Sequence, residues 1–189
     1  MEKTISVQKE GRNTAVLSVS MQAMLTVVTI VAAVVVPQAF HWIGIVSGSG
    51  TAPGIAFSPM HFPIIIAGLL AGPYVGAIAG LLGPVVSHFI SSMPSGVQLP
   101  LMMIELLGYG LSAGLLRNVK MPTILKTVIV MLAGRVLRML ACMVVFYILG
   151  NTKVAPFGIW LSIPSCLPGI VLQLVLIPLF VYRVENAKK

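Results

Sequence analysis

The sequence predicts an all-α, polytopic membrane protein with six transmembrane helices and both termini in the cytoplasm. Three observations carry this. First, the 189-residue chain is 58% hydrophobic and only 8% charged, against roughly 25% charged residues in soluble domains; so few charges cannot build a water-facing surface. Second, several apolar runs reach the roughly 20 residues needed to cross a bilayer. Third, Lys and Arg crowd into alternate connections. One six-helix membrane domain over residues 1–189 accounts for the whole length.

The first span is expected at 14–36, ended by Pro37. A Gly/Ser/Pro-rich segment, 37–58, follows with no Lys, Arg, Asp or Glu and reads as an outer loop. The second span, 59–71, is short and carries Pro63 in its first turn, where proline is tolerated. "AGPY" makes a tight turn, with Pro73 placed to start the third span, 73–92. The fourth covers 97–116, the fifth 122–149 and the sixth 161–184, the last made irregular by Pro164, Pro168 and Pro178. Six spans put both termini, the 2–3 loop and the 4–5 loop on one side. That side holds Lys3, Lys9, Arg12, Arg117, Lys120, Lys126, Arg183, Lys188 and Lys189, whereas the opposite loops hold only Lys153. The positive-inside rule therefore assigns the termini to the cytoplasm. The net charge of +8 reads as this topology signal and not as a nucleic-acid surface, since no basic–aromatic face accompanies it. Gly76, Gly80 and Pro84 recur every four residues, as do Gly110 and Gly114 beside Ala113. Small residues at this spacing let helix backbones approach closely.

Polar groups inside the spans are the candidates for function. Glu105, Arg135 and Arg138 are ionisable and lie well within spans. An unpaired charge in hydrocarbon costs several kcal/mol, so all three must face the bundle interior. Arg135 and Arg138 stand at i and i+3 on one face of the fifth span, with Arg138 roughly 16 Å below its outer end. Two readings follow. Glu105 can form a buried ion pair that ties the fourth span to the fifth, but it cannot neutralise both arginines. The remaining guanidinium can instead meet a polar or anionic ligand, which its planar fork suits. His41, His61 and His88 all lie toward the outside, without metal-ligand spacing, so no metal or other cofactor is expected. Met93, Met102 and Met103 cluster near the outer end of the fourth span, where adaptable thioethers suit packing or a flat ring. Cys142 and Cys166 read as reduced, structural thiols. The chain has no Asp, no catalytic triad and no Walker motif, so neither an enzyme nor a self-powered pump is expected.

The block "SPMHFPIIIAGLLAGPYVGAIAGLLGPVVSHFISSMPSG", followed by "PLMMIELLGYGLSAGLL", resembles the S component of energy-coupling factor (ECF) transporters. The resemblance is strong over 58–116, and elsewhere rests on length and hydropathy. It implies a substrate-specific subunit of an ABC-type importer in a bacterial cell membrane. Such subunits capture a vitamin or precursor at the outer face and deliver it with a coupling transmembrane subunit and two cytoplasmic ATPases. It further implies a pocket formed by the first outer loop and the outer halves of spans 4 to 6. Segment 37–58 would then be a lid. Glu105, Tyr109, Arg135, Arg138, Met102 and His61 would line the pocket, with Asn151 and Trp160 at its rim. Members often dock the coupling subunit through an Ala-x-x-x-Ala pair on the first span. Here Ala15, Ser18 and Ala23 are small, but no pair spaced by four exists. The competing class is a stand-alone secondary transporter or channel, disfavoured by the lack of an inverted repeat and of acidic midplane residues.

Overall fold

The first helix does not stop at its proline. In the computed structural model, which describes residues 17–148, 150–151 and 154–187, α1 spans Val19–Val46 with Pro37 inside it. Proline removes one backbone N–H, a loss that neighbouring helices make tolerable in a membrane bundle; Pro37 is buried against such neighbours. The Ser18 side chain caps the start by accepting from the Met21 N–H at 3.3 Å. The helix ends where Gly48 and Gly50 take φ values of +70° and +60°, conformations that glycine adopts without strain.

The 37–58 segment expected as an outer loop is therefore mostly helical. Its first half extends α1, and its second half forms α2, Ala52–Phe57. The Phe40 and Phe57 rings, 5.2 Å apart, pack the α1 extension on α2. Ser58, left-handed at φ 44°, turns the chain from α2 into α3, His61–Ala71. Together α2 and α3 make the second of six stretches long and apolar enough to cross a membrane. The others are α1, α4 (Pro73–Ser91), α5 (Leu99–Leu116), α6 (Thr123–Tyr147) and α8 (Ile163–Asn186). A four-residue helix, α7 (Gly158–Leu161), precedes α8. Pro168 and Pro178 lie inside α8 without ending it. Among the described residues there is no strand.

The small-residue spacing does what it predicts. A Cβ on Gly76 would collide with the Gly110 backbone, and one on Gly80 with the Leu106 carbonyl, so α4 and α5 meet backbone to backbone. Around this pair the core gathers Ile64, Ile65, Leu106, Val130 and Ile177, all at or below 2% exposure. Large apolar side chains such as Val28, Val31, Leu132 and Val175 instead face outward. They form the continuous apolar belt that a bilayer covers. At one end of the bundle, Arg117 Nη1 donates to the Ala71 carbonyl at 3.4 Å and Lys126 Nζ to the Arg117 carbonyl at 2.9 Å. These bonds hold the α3–α4 and α5–α6 turns side by side. The starts of α3, α5 and α8 lie at the other end.

Candidate functional site

Four helices converge at that other end around a small chamber of about 70 Å3. Its residues come from the α2–α3 turn and the first turn of α3, the middle of α5, the middle of α6, and the start and first half of α8. Of the eight residues expected to bind ligand, His61, Glu105, Tyr109, Arg135 and Arg138 line it together.

Glu105 is the hub. The residue is 4% exposed. Arg138 Nη1 donates to Oε2 at 2.6 Å, and Tyr109, one turn along α5, donates its hydroxyl to Oε1 at 2.9 Å. The second arm of the Arg138 fork donates to Gln98 Oε1 at 2.7 Å. The two bonds to the carboxylate offset part of the cost of burying it. The ion pair between the fourth and fifth spans is thus present and uses Arg138.

His61 approaches the same carboxylate from α3. Its Nδ1 lies 2.8 Å from the Ser58 carbonyl. A carbonyl only accepts, so Nδ1 carries the proton, and in the neutral ring Nε2 keeps a lone pair. That lone pair faces Glu105 Oε1 across 3.9 Å, beyond hydrogen-bond reach. The ring stacks edge-on against Tyr109, with centroids 5.0 Å apart.

Arg135 is placed differently. Among the described residues no carboxylate lies within ion-pair distance of it; the Tyr109 hydroxyl is a polar neighbour. It lines both the polar chamber and an adjoining apolar cavity of about 190 Å3 between α6 and α8. Gly134, next to it, makes room for Tyr109: a Cβ there would run into the tyrosine ring and meet the Glu105 carbonyl.

Three expected positions fall elsewhere. Met102 packs on the hydrophobic core instead of lining the chamber, because its face of α5 points toward the packed neighbours. Asn151 sits in the α6–α7 connection, its backbone N–H on the Val145 carbonyl at 3.2 Å. Trp160 borders only the apolar cavity, and its Nε1 donates to Met139 Sδ at 3.0 Å. Of the docking residues, Ala15 lies outside the described residues, while Ser18 and Ala23 are exposed on α1. Sequence reading missed Gln98, Ser162, Cys166 and Gln173. Gln173 is the most telling: a 4% exposed carboxamide on the chamber wall. A lone Gln in an apolar run was the available signal.

A family model described as ECF transporter, substrate-specific component, matches residues 17–181. The chain belongs to that family. No curated protein and no solved structure matches it. S components are membrane transport subunits and not enzymes, so the buried charges of this S component need no catalytic role.

Proposed function

We propose that this S component captures a vitamin or vitamin precursor from outside the cell in the chamber between α3, α5, α6 and α8, and delivers it inward with a coupling subunit and two ATPases. The observation that carries this is the asymmetry of the two arginines. Glu105 neutralises Arg138 at 2.6 Å, and no described acid neutralises Arg135. A cation held inside a bilayer-spanning bundle without a counter-ion costs several kcal/mol unless a partner arrives. The chamber opens at the end of the bundle opposite Arg117 and Lys126. The charge bias of the sequence assigns those residues to the cytoplasm, so the mouth faces outward.

In this reading α2 is the lid. It rests on α8 where Gly169 lets the Ala56 and Phe57 carbonyls come close. The chamber of about 70 Å3 is smaller than the roughly 300 Å3 at which small-molecule pockets begin. Loading therefore needs α2 to lift, with the polar chamber and the apolar cavity then joining at Arg135.

The test is native mass spectrometry of the purified full chain. One small molecule per chain, displaced by denaturation and rebound on refeeding, is the expected result. Gradient-driven uptake by this chain alone in proteoliposomes would favour the secondary-transporter class instead.

A further inference from the structure

The wall of the chamber states more about its ligand than its size does. Gln173 is 96% buried by its 4% exposure, lines the chamber and makes no hydrogen bond within the protein. With the chamber beside it, its amide is free to bond to a ligand in place of water. His61, which lines the same chamber, places Nε2 3.9 Å from Glu105 Oε1. Such a gap accommodates a ligand O–H or N–H that both atoms accept. Arg135 supplies the charge. The two guanidinium groups of Arg135 and Arg138 outnumber the one carboxylate of Glu105, which leaves an excess positive charge in the chamber. A monoanion brings the sum to zero; a cation doubles the excess in a medium where charges are poorly screened.

We infer that the ligand is a small organic monoanion bearing a hydroxyl, amide or similar donor–acceptor edge, its anionic end on Arg135 and its polar edge on Gln173 and His61. Gln173 is then the specificity-determining residue that separates such anions from purely apolar acids. This inference rests on the capture reading above.

The experiment has two arms on the purified full chain. The first extracts the co-purified small molecule and reads its charge by mass spectrometry. The second titrates matched acid and neutral pairs: pantothenate and panthenol, nicotinate and nicotinamide, biotin and biotin amide, with thiamine as the cation. The expected best binder is an acid whose neutral counterpart binds roughly 30-fold or more weakly, the effect of removing one partner of a desolvated charge pair. Arg135→Gln abolishes that preference. Gln173→Leu weakens the acid about 10-fold, as expected for lost hydrogen bonds in a buried site; Gln173→Asn, which withdraws the amide but keeps it, reports the same direction if the Leu variant fails to fold. A cationic or neutral molecule bound as tightly, or an unchanged affinity in Arg135→Gln, overturns the inference while leaving ligand capture standing. No released molecule and no micromolar binding by any compound overturns capture itself, and the inference with it.

Discussion

Arg135 and Arg138 differ by less than one helical turn, yet the structure predicts opposite consequences for removing them. Arg138→Gln strands Glu105. The carboxylate side chain is 5% exposed and loses its 2.6 Å partner. It keeps only the Tyr109 hydroxyl at 2.9 Å and the distant His61. Breaking a buried pair by removing one member costs about 3–5 kcal/mol. Arg138 is itself 22% exposed, so water at the chamber mouth offsets part of this, and we expect the lower end, about 3 kcal/mol. Arg135→Gln removes a cation with no acidic partner together with its desolvation cost, so the variant should be at least as stable as the parent. Its ligand affinity, by contrast, should fall by about 2–5 kcal/mol. The assay is unfolding of each purified variant in detergent, paired with ligand titration. Equal destabilisation of the two variants, or a less stable Arg135 variant that still binds ligand normally, would refute the division of labour.

Other consequences can be measured separately. The double variant Glu105→Leu/Arg138→Leu should be more stable than either single variant, by a coupling of at least about 1 kcal/mol in a thermodynamic cycle, because two apolar groups cost less than one orphaned charge. Gly134→Ala should destabilise by about 1–3 kcal/mol through overpacking and lower ligand affinity, since the new methyl displaces Tyr109 from Glu105; unfolding and titration report both. Cys166 lines the chamber and is half-buried, while Cys142 is buried. A membrane-impermeant thiol reagent applied to intact cells should therefore label Cys166, ligand should protect it, and Cys142 should stay unlabelled. Labelling of Cys166 only in inverted vesicles would reverse the proposed orientation.

Much of this fold was legible because hydrocarbon imposes simple rules. Six apolar stretches had to be helices, and the four-residue spacing of Gly76 and Gly80 had to mark a close crossing. The Glu105 pairing was legible too, since a lone carboxylate and two arginines in adjacent spans leave few arrangements. What resisted reading has equally physical causes. Pro37 breaks helices in water, but in this bundle it lies buried and α1 continues to Val46. The Gly/Ser/Pro content of 37–58 looked like loop because its turn signals are real, yet they act only over 47–51 and at Ser58, and the stretches 37–46 and 52–57 are helical. Gln98 stood at the start of the expected fourth span, where an uncharged amide gives no sign of its partner, although it completes the Arg138 fork. Met102 was a reasonable pocket residue by depth alone. Its direction around α5, which depth does not specify, sends it to the core. Which arginine stays unpaired was undecidable from spacing, because i and i+3 share a face and only the rotation of α6 against α5 separates them.

The most direct test of the account is a ligand-bound structure of the purified protein. The account predicts density between α3, α5, α6 and α8, with an anionic oxygen within hydrogen-bond distance of Arg135 and the Glu105–Arg138 pair still closed. Ligand bound elsewhere, with Arg135 turned to lipid and the chamber collapsed, would contradict it.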